Sequence, residues 1–204
     1  MLTKTCALVF IAICSLRAAP RAFDDAKKKQ AAELEQLAAD LRDSKPDKRR
    51  TALHGLIKLA TPPAWRLVME ALGDVDSGVG DDAQIALAAL GDAALIEELV
   101  GKRGLDAKEE RVAVRAAEAL GRSRATIDGG ELVKRFATRD PELTRMLLWS
   151  IERLAERDKL GGRRDKIAEA VARLEASRLD LGVSCAALAA LARLDATRAE
   201  EAAV

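Results

Sequence analysis

Residues 112 to 121 read VAVRAAEALG, and residues 183 to 192 read VSCAALAALA. Each stretch opens on Val, places Ala four residues on, a small residue three later and Leu directly after. Offsets of four, seven and eight mark one face of an α-helix. The same frame fits the chain five times. Its strongest column is Leu56, Leu87, Leu120, Ile151 and Leu191, at intervals of 31, 33, 31 and 40. Four residues before these stand Ala52, Ala83, Ala116, Leu147 and Ala187. One residue before stand Gly55, Ala86, Ala119, Ser150 and Ala190, small enough for helices to approach closely. The opening column is Lys48, Val79, Val112, Leu143 and Val183, apolar except for Lys48.

Punctuation agrees with the frame. Asp76, Asp140 and Asp180 fall three residues before the opening position, where a carboxylate accepts from the first free amides of a helix. Glu109 occupies the matching place, and Pro46 and Pro141 suit a first helical turn. A second apolar set follows each first helix: Leu67, Val68 and Leu72; Leu95, Ile96, Leu99 and Val100; Leu132, Val133 and Phe136; Ile167, Val171 and Leu174. Breakers such as Pro62, Pro63, Gly91, Gly129 and Gly130 separate the sets. The unit is helix, turn, helix. Neither helix alone buries its stripe, so units must stack.

Composition points the same way. Among 204 residues, 49% are hydrophobic and 33% charged but only 2% aromatic, with no Tyr. Ala, Leu, Glu, Lys and Arg dominate, and these are strong helix formers. The formal charge is +1 at neutral pH, which gives no electrostatic case for nucleic acid. Residues 102 to 175 are mildly basic, with 18 basic against 14 acidic side chains.

The N-terminus, MLTKTCALVFIAICSLRAAPRA, joins Lys4 to an apolar run from Cys6 to Leu16 and then small residues between Arg17 and Arg21. That is the layout of a secretory signal peptide, too short for a comfortable membrane span. Residues 1–22 are expected to be cleaved on export or retained as an anchor. Cleavage leaves Cys185 as the last cysteine, so no intramolecular disulfide is expected.

VAVRAAEALG resembles the HEAT-repeat family, and the short bacterial HEAT-like form in particular. The resemblance covers residues 44–204, with residues 23–43 as an N-terminal cap helix. It implies an all-α fold, an α-solenoid of about five HEAT-like helix-turn-helix repeats, whose stacked second helices offer a concave surface to a protein partner. The family places Arg directly after the opening Val; here Arg49, Gly80, Ala113, Thr144 and Ser184 stand there, so the bracing ladder of Asp and Arg is expected only in the first repeat. The expected role is a noncatalytic, secreted or periplasmic scaffold for protein–protein interaction. Repeats of this type also resemble those of phycobilin lyases, which implies assistance in chromophore attachment as the alternative. The last segment, TRAEEAAV, reads as too short for a full cap, which points to self-association through the C-terminal repeat.

No catalytic residue, metal ligand or cofactor site is read from the chain. His54 is its one histidine and is expected to be partly buried beside the core columns; Cys185 is expected to pack in an Ala-rich helix. Trp65 and Trp149 are either gap-filling core residues or anchors for a partner. The interval of 40 holds the insertion ERDKLGGRRDK, from Glu156 to Lys166, read as a loop outside every apolar column. It is either a solvated connection or a surface offering Arg157, Lys159, Arg163 and Arg164 to an acidic partner. Glu98 is read as exposed and dispensable.

Overall fold

The computed structural model describes residues 24–137, 140–176 and 180–202; the signal-peptide reading of residues 1–22 lies outside them. Helix α1 spans residues 24–40. Five helix pairs follow. The first helices are α2 (Pro46–Leu59), α4 (Ser77–Ala88), α6 (Glu110–Arg122), α8 (Pro141–Glu156) and α10 (Leu181–Leu194). Their partners are α3 (Pro62–Glu70), α5 (Ala93–Val100), α7 (Gly129–Val133), α9 (Arg164–Ala176) and α11 (Ala196–Ala202). Short 3-10 turns extend α3 over Ala71–Gly73 and α7 over Lys134–Ala137.

Each first helix packs on the next, from α2 to α10, and the second helices form a thinner layer beside them. The architecture is an all-α solenoid. The strong column is its spine: Leu56, Leu87, Leu120, Ile151 and Leu191 are each no more than 1% exposed. Burying one such side chain contributes about 1.5 to 3 kcal/mol. Asp76, Asp140 and Asp180 cap α4, α8 and α10, accepting from Val79, from Glu142 and Leu143, and from Val183. Pro46 and Pro141 occupy first helical turns. At α3, Thr61 caps ahead of the Pro62–Pro63 pair.

Small residues set how closely the units approach. A Cβ on Gly121 would meet Trp149 Cζ3 at 2.7 Å and Ser150 Oγ at 2.8 Å, so α6 and α8 touch there with no space for a side chain. Ser150 is fully buried, and its hydroxyl lies 2.7 Å from the carbonyls of Ala117 and Met146, one across the helix interface and one within its own helix. On the other flank, α1 lies across α2, with Leu37 against Gly55 and Leu41 buried.

Several expectations change. Lys48 does not fill the opening column of the first repeat; it is exposed, and Arg49 is buried instead. Arg49 tolerates burial because Nε and Nη2 each donate to the Asp74 carboxylate at 2.7 Å, while Nη1 donates to the carbonyls of Asp43 and Ser44. This clamp ties the start of the first unit to the loop that opens the second. The bracing does not stop there. Arg115 reaches back from the third unit to donate to the carbonyls of Leu72 and Asp74. Gly80, at the second unit's Arg position, makes that reach possible, since a Cβ there would sit 2.0 Å from Arg115 Nη1.

Glu109 stands at the start of α6 but makes no cap hydrogen bond; its longer side chain turns aside to Arg111. Glu98 is not a free surface residue. It accepts both forks of Arg66 at 2.6 to 3.0 Å and also pairs with Arg103, joining α3, α5 and the following loop. The last unit is not left open after α10, because α11 folds back against α9 and α10.

The insertion is also more than an outer loop. Leu160 is buried, and Leu160–Gly161 (β2) pairs in parallel with Ile127–Asp128 (β1). Ile127 N–H donates to the Lys159 carbonyl at 2.9 Å. The loop thereby clips the turn of the third unit to the turn of the fourth.

Two measurements follow from this packing. In urea unfolding, Leu87→Ala and Leu120→Ala should each lose about 2 to 5 kcal/mol, the range for buried leucine truncation. Glu97→Ala, at an exposed position, should stay within about 0.5 kcal/mol. The Arg49 guanidinium, hydrogen-bonded to Asp74, holds that carboxyl below its ordinary range despite its burial. A depressed carboxyl contributes stability above the unfolded-state value, and that stability is lost as pH falls through the folded one. Asp74→Asn should therefore be less stable than wild type at neutral pH, with the difference shrinking below about pH 4.

Candidate functional site

The insertion and the ends of α6 and α8 bring the basic middle of the chain together. Trp149, on the outer side of α8, is half-buried. Its neighbours Leu148 and Ser150 are fully buried, so the indole lies at the rim of the core, not in it. The guanidinium carbons of Arg122 and Arg153 lie 5.9 and 5.8 Å from the Trp149 ring centroid, within cation–π range. With Gly121, Glu156 and Arg157 these residues line an open cavity of about 310 Å³.

Of the four basic residues singled out in the insertion, Arg157 is the one that lines this cavity. Its guanidinium donates to the carbonyls of Gly121 and Arg122, the latter at 3.1 Å, and its Nε donates to the Arg153 carbonyl. It closes the C-terminal end of α6, where carbonyls lack helical partners. Lys159 is half-buried and does not line the cavity. Arg163 and Arg164 turn elsewhere, to Asp165 at 2.5 Å and Asp158 at 2.9 Å. The four basic residues of the insertion do not form one patch.

Ion pairs hold the cavity's rim. Arg122 Nη2 meets Glu118 at 2.5 Å and Arg153 Nη1 meets Glu156 at 2.7 Å. Glu156 also faces Arg193 at 3.8 Å. Its hydrogen bond from Arg153, reinforced by the nearby guanidinium charges, holds its carboxyl below the ordinary range.

Other residues singled out from the sequence lie apart from this cavity. Trp65 packs half-buried against the core from α3, among the second helices. His54 is not tucked beside the core columns: its side chain is 54% exposed, and Nε2 lies 2.9 Å from Asp82 Oδ2, beside the Arg50–Asp82 pair. Its helix turns that position toward the neighbouring first helix, where a polar ring is satisfied by a carboxylate. Cys185 is exposed. It falls on the outward side of α10, between the buried Val183 and Ala187 columns.

Sequence reasoning missed Arg122 and Arg153, although their signal was present. Arg153 stands four residues after Trp149, one turn along the same face. Arg122 directly follows the Gly121 that the ring packs against.

Other cavities also lie between units. One of about 390 Å³ sets Ile96, Val100 and Ile127 beside Glu97, Asp128 and Glu131. Another, of about 400 Å³, holds Glu110, Asp140, Lys134 and Arg135. Hydrogen bonding to the neighbouring Asp140 carboxylate, and repulsion from it, push the Glu110 carboxyl above its ordinary range. Asp140 is meanwhile occupied as the cap of α8, and Arg135 donates to both oxygens of Asp106 at 2.8 Å. Among the described residues, no group of three or more His, Cys, Asp or Glu is placed to hold a metal ion, and no helix is long and apolar enough to cross a membrane.

No family model matches the chain, and no curated protein matches its sequence. Among solved structures, an engineered protein is similar at 21% identity, covering 78% of this chain and 80% of that one, with a TM-score of 0.44. A designed armadillo repeat protein is similar at 21% identity, covering 83% of this chain and 87% of that one, with a TM-score of 0.42. The solenoid assignment stands on the helix order and burial described above.

The geometry separates the arginines of the insertion by thermal or chemical unfolding. Arg157→Ala leaves the terminal carbonyls of α6 without their donor and should cost about 1 to 2 kcal/mol. Arg163→Ala and Arg164→Ala remove exposed pairs and should each stay within about 0.5 kcal/mol.

Proposed function

We propose that this chain is a noncatalytic, extracytoplasmic scaffold of HEAT-like repeats that binds another protein through the outer face of its first-helix layer. One observation carries the reading: Trp149 stays half-exposed among guanidiniums on a rigid, closely packed part of the solenoid. Tryptophan and arginine are the side chains most often found at the energetic centre of a protein interface, because they combine a large apolar area with directional donors. The helices beneath are fixed by the Gly121 contact and the Ser150 hydrogen bond, so little ordering cost falls on binding. Location rests on the signal-like layout of residues 1–22, and the HEAT-like assignment on the VAVRAAEALG pattern.

The test is capture of partners from native cells by the tagged full chain, alongside Trp149→Ala, with quantitative mass spectrometry of what is retained. The expected result is one or more proteins enriched by wild type and depleted at least several-fold by the variant. Equal retention by both, with the variant still folded by circular dichroism, would overturn this face as the binding surface. An intact mass of the native protein that still includes Met1 and Cys6 would overturn cleavage of the leader.

A further inference from the structure

Within that scaffold reading, we infer that the cavity between α6 and α8 takes an acidic segment of a partner protein. A carboxylate is held between Arg122 and Arg153, and its aliphatic stem lies on the Trp149 ring. The charge of the lining carries the argument. Three guanidiniums, Arg122, Arg153 and Arg157, line the cavity against two carboxylates, Glu156 in the lining and Glu118 on Arg122. Arg157 hydrogen-bonds to neutral carbonyls, and its nearby carboxylate, Glu156, is shared with Arg153, so the three guanidiniums outnumber the carboxylates around them. Two more guanidiniums crowd one indole, each restrained by a single exposed ion pair through one nitrogen. Among the described residues, their remaining N–H groups meet no acceptor. An arginine fork matches a carboxylate in two parallel hydrogen bonds, which a one-nitrogen contact does not supply. An incoming carboxylate thus relieves like-charge crowding and satisfies donors the fold leaves open.

The surroundings favour a peptide over a nucleic acid. A phosphate backbone needs a run of cations along its path. Beyond Arg115, the neighbouring first helix instead presents Asp81 and Asp82, with Ile85 60% exposed beside them. The cavity is a short basic spot with an aromatic floor, sized for one or two side chains. The indole supplies apolar area for the methylenes of a glutamate, and the guanidiniums supply its charge partners.

The experiment uses the full chain carrying Trp65→Phe, so that Trp149 is its one indole fluorophore. Acetylated, amidated hexaglutamate is titrated at low and at high salt. A Gly-Ser hexapeptide and a short DNA duplex serve as controls. The expected result is a saturable change in Trp149 emission with hexaglutamate, weakened by salt. Arg122→Gln with Arg153→Gln should weaken it about tenfold or more, the scale of one lost charge-assisted contact. Arg122→Lys with Arg153→Lys keeps the charge but loses the fork, and should bind between wild type and the Gln pair; it also serves if the Gln pair fails to fold.

Three outcomes would overturn the assignment: no saturable response to hexaglutamate, equal binding by wild type and the Lys pair, or a stronger response to DNA than to the peptide. Silence toward the peptide overturns the cavity assignment whatever the cell capture gives. An empty capture overturns the scaffold reading and leaves the peptide result standing.

Discussion

The approach of neighbouring first helices through small side chains is the constraint on which the rest of this protein depends. Ala83, Ala116, Ala119, Gly121, Ser150, Ala187 and Ala190 are buried along that layer. With so little bulk between helices, backbone carbonyls and hydroxyls of adjacent units come within hydrogen-bonding reach, as at Ser150 and Ala117. Large apolar residues then complete each unit from inside, the leucines and Ile151 of the strong column. A substitution that adds volume along the small-residue seam pushes two units apart, whereas one that removes volume from the spine leaves a cavity within one unit.

Polar locks reinforce this seam, and they differ from unit to unit. The first junction uses a buried guanidinium on Asp74, the second borrows Arg115 from the next unit, and the third relies on the Ser150 hydroxyl. The second helices are held by bridges such as Arg66 to Glu98 and Arg135 to Asp106. A repeat protein is stabilised by its units and by its nearest-neighbour interfaces, so each lock acts on one interface. Breaking the Arg49–Asp74 pair therefore weakens the N-terminal junction first, and leaves a charge poorly compensated in a desolvated place.

Much of this was legible in the primary structure, because a period of 3.6 residues with small residues at one offset has few other physical meanings. The spine column, the Asp caps and the proline starts were all readable from spacing alone. What spacing hides is the identity of a partner in another unit. Arg49 reads as the brace of the first repeat, but which Asp it holds shows only when Asp74, 25 residues on, is brought against it. Glu98 reads as free until Arg66 arrives from the previous unit. Cys185 and His54 were misplaced because residues one or two positions from a core column straddle the helix edge. Small differences in helix rotation decide which side of that edge they take. Leu160 was hidden inside a charged insertion, where one apolar residue among Arg and Lys carries no periodic signal. The Trp149 cavity was half visible: the aromatic was noticed, and the two arginines that give it a chemistry were not.

The parallel pairing of Ile127–Asp128 with Leu160–Gly161 bears on how the solenoid comes apart. In a plain array of helical hairpins, each unit can peel away from an end once its one neighbouring interface is lost. Here a backbone ladder joins the turns of the third and fourth units, and Leu160 lies in the shared core. Neither unit can open without breaking the other's connection, so the two behave as one cooperative block. Fraying should then run inward from the N-terminal units and halt at that block. Amide protons in α6 and α8 would exchange last, at a common rate set by the loss of both helices together.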